Sequence, residues 1–82
     1  MYYTYFIKSI VFGKIYIGST ADLKKRLEDH NAGKVRSTKP YKPWKVVYYE
    51  AHLSKTLARK AELFYKTSQG RRQVNKKLGI EK

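Results

Sequence analysis

Apolar and polar positions alternate along Tyr2-Tyr-Thr-Tyr-Phe-Ile-Lys8, with Tyr3, Tyr5 and Ile7 on one side and Tyr2, Thr4 and Phe6 on the other. Aromatic and β-branched residues in this rhythm predict a strand. Ser9 to Gly13 is the connection, with Ile10, Val11 and Phe12 unusually apolar for a turn, and Lys14-Ile-Tyr-Ile-Gly18 returns as the second strand of a hairpin. The period then changes. Leu23, Arg26, Leu27 and His30 recur at i, i+3, i+4 and i+7, which predicts a helix from about Ala21 to Ala32. Ser19 or Thr20 is the expected cap, Asp22 suits the positive end of the dipole, and Gly33 is the stop signal. Trp44 to Ala51 reads as a third strand, with Val47 and Tyr49 alternating against Val46 and Tyr48. Ser54 caps a second helix expected to run through about Gln69 and to end at Gly70. Leu57, Ala58, Ala61, Glu62 and Tyr65 share its inner face, while Lys55, Arg59, Lys60 and Lys66 lie mainly elsewhere. Arg71 to Lys82 is a basic tail with a short helix around Gln73 to Leu78.

Two features of this pattern are odd for a purely structural protein. A guanidinium and an imidazole, Arg26 and His30, sit on the stripe where a helix ordinarily buries aliphatic residues, and a carboxylate, Glu62, sits among apolar neighbours. The other carboxylates have local explanations: Asp22 as a capping residue, Glu28 and Asp29 facing water, Glu50 closing a strand and Glu81 near the terminus. Taken alone, Glu62 is best read as the salt-bridge partner of Arg26, since buried carboxylates need a cation; the sharper reading makes it a ligand for a divalent cation. Arg26 by itself could snorkel and His30 could serve a local hydrogen bond. Together with Glu62 they supply a phosphate clamp, a proton-transfer group and a metal anchor, the set that phosphodiester hydrolysis requires.

Length and charge narrow the setting. Eighty-two residues suit one domain, 1–82, and without cysteine its stability rests on a single compact core. Lys and Arg number 19 against 6 Asp and Glu, a formal charge of +13, so a polyanion is the expected partner and nucleic acid the leading one. No long apolar run or signal sequence favours a membrane, which leaves a cytoplasmic location as the expectation. The loop Lys34 to Pro43 is either a solvated connector or a phosphate-contacting loop. Among eight tyrosines, Tyr5 and Tyr16 stand apart because they occupy adjacent strands of the hairpin and Tyr16 lies just before the Gly18 turn.

At this point the chain resembles the GIY-YIG nuclease superfamily, which includes the N-terminal domain of the repair nuclease subunit UvrC, and it is most similar to the small stand-alone bacterial members. Tyr3-Thr-Tyr5 matches the first motif in its final Tyr, Tyr16-Ile-Gly18 matches the second outright, and Arg26, His30 and Ala58 followed by Glu62 match the later positions in order. The resemblance covers roughly Tyr2 to Arg71 and leaves 72–82 as a basic tail. It implies an α+β fold with a three-stranded antiparallel sheet flanked by helices, and an endonuclease assisted by one Mg²⁺ or Mn²⁺ on Glu62. It further implies that Arg26 neutralises the transition state, that Tyr5 or Tyr16 orients or deprotonates the attacking water, and that His30 is its hydrogen-bond partner or relay. DNA is the expected substrate, in repair, recombination or related processing, with Ser19, Lys34, Arg36, Lys39, Lys42, Arg71 and Arg72 as nucleic-acid contacts and a partner protein supplying target specificity. Ser19 stands where some members have Lys, and Asn75 is the candidate for a late Asn of the family. The competing expectations are a nucleic-acid-binding module of the same fold without independent cleavage, and a basic structural subunit of a nucleoprotein assembly.

Overall fold

A computed structural model describes residues 1–79. The elements are β1 (Tyr2–Ser9), β2 (Ile15–Thr20), α1 (Leu23–Asn31), a 3₁₀ turn (Lys39–Tyr41), β3 (Trp44–His52), α2 (Lys55–Tyr65) and α3 (Ser68–Lys77). The fold is α+β, with a three-stranded antiparallel sheet ordered β2-β1-β3. Because β1 is central and both sheet faces are covered, Thr4, Tyr5, Phe6 and Ile7 are all buried in succession. Tyr5 and Ile7 pack with Trp44, Leu23 and Leu27 on the α1 side. Phe6 and Ile17 pack with Tyr65 and Val74 on the side of α2 and α3. Phe6 and Ile7 are fully buried, each stabilising the fold by roughly 1.5–3 kcal/mol. Thr4, polar and equally buried, donates its hydroxyl proton to the carbonyl of Ala58 at 2.8 Å and so ties α2 to the sheet.

Several local expectations change. Pairing with β1 carries β2 on to Thr20, so neither Ser19 nor Thr20 caps α1. Asp22 is the N-cap, accepting from the amide of Lys25 at 3.0 Å, and the helix begins at Leu23. In β3 the expected alternation fails at a bulge: Phe6 faces Tyr48 but Ile7 faces Val46, leaving Val47 as the extra residue. Val46 and Tyr49 therefore share the α1 face, and Val47 and Tyr48 pack on the other.

The second helix also ends earlier than expected. α2 stops at Tyr65, and Thr67 caps a separate α3 by accepting from the amide of Gly70 at 3.0 Å. Gly70 is thus inside the first turn of α3 rather than a terminus, where a Cβ would lie 2.5 Å from Tyr65 Cα and would overlap the Phe64 carbonyl. Leu57 leaves the expected inner face and is half exposed, whereas Ala58, Glu62 and Tyr65 are buried. The segment expected to be a tail contributes Val74 to the core, 2% exposed, and residues 80–82 of that tail lie outside the described residues. No helix among the described residues is long and apolar enough to cross a membrane.

Candidate active site at the edge of β2

Gly18 is the pivot of the site. It faces Tyr5 in the β1–β2 register, and a Cβ there would stand 2.6 Å from Tyr5 Cζ and overlap the hydroxyl. The missing side chain lets the Tyr5 ring lie across the strand with its oxygen against the β2 backbone. Tyr16 faces Ile7, so it shares the α1 face with Tyr5 as a diagonal neighbour. Their rings both meet His30 edge-on, with centroids 5.8 Å and 5.3 Å away.

His30 is fully buried at the end of α1, and the chemistry of its hydrogen-bond partners assigns its tautomer. The Thr38 hydroxyl donates its one proton to the Val35 carbonyl at 3.2 Å, so towards His30 it accepts, and Nδ1 carries the proton across a 2.7 Å contact. Nε2 is then the acceptor, and the Tyr5 hydroxyl, 2.9 Å away, donates to it. Burial, reinforced by the Arg26 charge, lowers the His30 pKa to about 4 and keeps the ring neutral. Burial also pushes Tyr5 up to about 12, against the opposing pull of the Arg26 guanidinium beside its oxygen. The Arg26 guanidinium is in turn held more firmly protonated, chiefly by its hydrogen bond with Tyr5.

This arrangement makes stability pH-dependent in a defined direction. The folded pKa of His30 lies below the ordinary value of 6.5, so the unfolded chain binds more protons and stability falls with acid. The contribution, about 3 kcal/mol, is complete above pH 6.5 and disappears on descent to pH 4. Urea denaturation across that window is expected to show this slope, and His30→Gln is expected to flatten it. An equal slope in both proteins would contradict a buried neutral His30.

From the opposite face, α2 presents Glu62, 4% exposed. Ser19 faces Thr4 and so turns to the α2 side, where its hydroxyl donates to Glu62 Oε1 at 2.7 Å. Arg59 reaches the same oxygen at 3.0 Å and Lys66 reaches Oε2 at 2.8 Å. Burial pushes the Glu62 pKa up, but the donors Lys66, Ser19 and Arg59 together outweigh it and the carboxyl is held below its usual range. The expected Glu62–Arg26 salt bridge is therefore replaced: the Glu62 ion pairs are with Arg59, one turn earlier in α2, and Lys66 at its C-terminal cap, and Arg26 stands by Tyr5. Lys66 also lies over the Tyr16 ring, 5.7 Å from its centroid, and with Arg71, Ile15 and Ile17 encloses a cleft of about 210 Å³ along the strand edge. A larger hollow of about 550 Å³ between α1 and the sheet is lined by Tyr3, Leu23, Leu27, Val46 and Tyr49 and contains none of this cluster.

The edge strand β2 thus brings Tyr5, Tyr16, Arg26 and His30 together on one side and Glu62 with Ser19 on the other, with Arg71 at the cleft. Lys34, Arg36, Lys39 and Lys42 follow α1 on the 34–43 segment, with Lys34 3.9 Å from Asp29. Arg72 and Asn75 are exposed on α3. Three participants were not singled out from sequence. Lys66 and Arg59 had a legible signal in their i+4 and i−3 spacing from Glu62. Thr38 had none, because its link to His30 depends on how the loop returns: Trp44 Nε1 donates to the Thr38 carbonyl at 2.9 Å, and the Asn31 amide brackets the Trp44 backbone.

Among the described residues of this cluster, Glu62 is the carboxylate that a divalent ion could take as a ligand. Among the described residues no three His, Cys, Asp or Glu side chains converge. The donor set fits an ion that keeps most of its shell as water and phosphate oxygens, as Mg²⁺ does. Arg59 and Lys66, with side chains 59% and 44% exposed, have solvent into which to withdraw from the carboxylate.

The chain is similar to known proteins in sequence and in fold. A UPF0213 protein of Streptococcus pyogenes serotype M5 (strain Manfredo) is 45% identical over 60 residues, as is one from serotype M1, covering 72% of this chain. The match spans 65% of the length of those relatives, just under two thirds. The solution NMR structure of the UPF0213 protein BH0048 from Bacillus halodurans superposes with a TM-score of 0.54 at 28% identity, covering 93% of this chain and 84% of that one. With the GIY-YIG catalytic domain family matching residues 1–77, the chain belongs to the GIY-YIG family, whose characteristic domain is that of a nuclease.

Proposed function

We propose that this chain is a metal-dependent endonuclease that hydrolyses nucleic-acid phosphodiesters, with DNA as its substrate in repair, recombination or related processing. The observation that carries the reading is the convergence at the β2 edge of a neutral imidazole bonded to a tyrosine, a guanidinium, and a buried anionic carboxylate. Phosphodiester hydrolysis needs an oriented water, charge neutralisation on a phosphorane-like transition state and a stabilised leaving oxygen.

Arg26 supplies the neutralising charge. Between the two tyrosines, exposure divides the work. Tyr5 is 2% exposed and spends its proton on His30, so it is a positioning group. Tyr16 is only partly buried and borders the cleft with Lys66 and Arg71, so it is the tyrosine able to touch an attacking water. The Thr38–His30–Tyr5 chain holds the aromatic wall behind it in one orientation. Lys66 and Arg71 flank the phosphate. Glu62, with Ser19 bracing one oxygen, would hold one Mg²⁺ or Mn²⁺, which when bound supplies Lewis-acid polarisation of the phosphate.

The test is cleavage of a labelled DNA duplex with Mg²⁺, Mn²⁺ or EDTA, using wild type and Arg26→Ala. Cleavage is expected only with metal, and Arg26→Ala is expected to lower kcat about a hundredfold. Equal cleavage in EDTA would reject the metal, and an unaltered Arg26→Ala would reject the site. A second reading, a binding module without independent cleavage, is favoured by one observation: both Glu62 oxygens already hold cationic partners. Salt-sensitive DNA binding with no cleavage in either metal would select it.

A further inference from the structure

The tip of the β1–β2 hairpin has no part in the site described above. Ile10, Val11 and Phe12 are 60%, 68% and 59% exposed, a run of three apolar side chains held out into solvent. Such runs are costly to solubility and are ordinarily absent unless something uses them. The tip is also braced. The buried Ser9 hydroxyl donates to the Tyr41 carbonyl at 2.6 Å and accepts from the Phe12 amide at 3.1 Å, and the Ile10 amide reaches the Pro43 carbonyl at 3.0 Å. The Phe12 ring stands edge-on to Tyr41 at 5.5 Å, and the Lys14 ammonium lies over that Tyr41 ring at 4.4 Å. The turn's backbone is thus tied to the 41–43 segment while its apolar side chains face solvent.

The charge around the tip identifies its partner. Lys8 and Lys14 flank the tip on its own hairpin, Lys39 and Lys42 lie on the segment braced against it, and Lys45 pairs with Lys8 from β3. The sequence contains no Asp or Glu from Met1 to Ala21 or from His30 to Tyr49, so no carboxylate on these segments offsets them. An apolar wedge on segments whose own charged residues are all cations suits a polyanion that also offers apolar faces, which is a nucleic acid with unstacked bases. The tip leads into β2, the strand that carries Tyr16, and three residues, or four steps of chain, separate Phe12 from Tyr16. That is a span of at most about 14 Å, or roughly four nucleotide steps.

Resting on the nuclease reading, we propose that Ile10, Val11 and Phe12 form a wedge that enters an unstacked base step, directing the enzyme to bulged or forked DNA a few nucleotides from the cleavage point. Binding tests this without relying on catalysis. In EDTA, fluorescence anisotropy compares a continuous duplex with a forked duplex of the same sequence carrying 2-aminopurine at the junction. Wild type is expected to prefer the fork about tenfold and to change the 2-aminopurine emission, and Ile10→Ser/Val11→Ser is expected to reduce the preference to within about twofold while keeping duplex affinity. Phe12→Ser, which also loosens Tyr41, is the second variant, and circular dichroism verifies that each is folded.

A wild type that binds both duplexes equally overturns the wedge and leaves the nuclease reading intact, as does a preference that survives in the folded variants. A wild type that binds neither overturns both readings. Tip-dependent binding to vesicles of phosphatidylserine and phosphatidylcholine, without a fork preference, assigns the tip to membranes and overturns the wedge.

Discussion

Exchange of Glu62 for Gln is expected to lower metal-dependent cleavage by at least about a thousandfold, the scale of several kcal/mol of transition-state stabilisation from a bound cation. The substitution is chosen for its shape. Gln retains an oxygen for the Ser19 hydroxyl and adds little steric change, so loss of the negative charge is the variable. It leaves the Arg59 and Lys66 cations without their carboxylate, but both side chains reach solvent and remain hydrated. The variant should therefore remain folded and continue to bind DNA, separating the chemical step from affinity. Calorimetric titration with Mn²⁺ provides the second readout, with binding expected in wild type and lost in Glu62→Gln. If the variant cleaves at the wild-type rate, the carboxylate is structural and its role is to hold Ser19, Arg59 and Lys66.

The largest stability effect is expected at Gly70. Its Cα packs so closely on the end of α2 that an alanine Cβ would meet backbone, the Phe64 carbonyl and Tyr65 Cα, rather than a side chain able to rotate away. Relief requires α3 to move off α2, uncovering Tyr65 and Val74, 7% and 2% exposed in the core under the sheet. Gly70→Ala is expected to cost about 3 kcal/mol or more and to lower Tm by about 15 °C. Glycine would ordinarily be improved by alanine inside a helix, so even the sign of the effect reports the packing. A variant as stable as wild type would show that α3 does not dock here. Because Arg71 borders the cleft from the same helix, the variant should also weaken DNA binding.

Both predictions bear on how far the chain could be read before its structure. Local periodicity located all three strands and placed Arg26, His30 and Glu62 on inner faces, because alternation and 3.6-residue spacing are properties of the backbone alone. The ordered motifs indicated the family and the α+β sheet, and family membership and fold agree with that reading. Local rules were less reliable where tertiary contacts outweighed them. Ser19 and Thr20 have good capping chemistry but are drawn into β2 by pairing with Thr4 and Tyr3. Gly70 has the composition of a stop signal, but Thr67 restarts a helix there because Val74 can be buried against the sheet. A bulge at Val47 reverses half of the alternation in β3, an event that no period-two pattern announces.

The sequence by itself determined the three strands and the first helix, the surplus of positive charge and the inward placement of three polar groups, since each follows from local spacing or composition. Only the tertiary structure decided how those groups are wired. Gly18 lets the Tyr5 hydroxyl lie against β2, and the returning 34–43 segment brings Thr38 to His30 and sets its tautomer. The same assembly gives Glu62 to Lys66 and Arg59 rather than to Arg26, because α1 and α2 cover opposite faces of the sheet. Which partner a buried charge takes depends on distances across the fold, and those distances arise from packing rather than from any spacing along the chain.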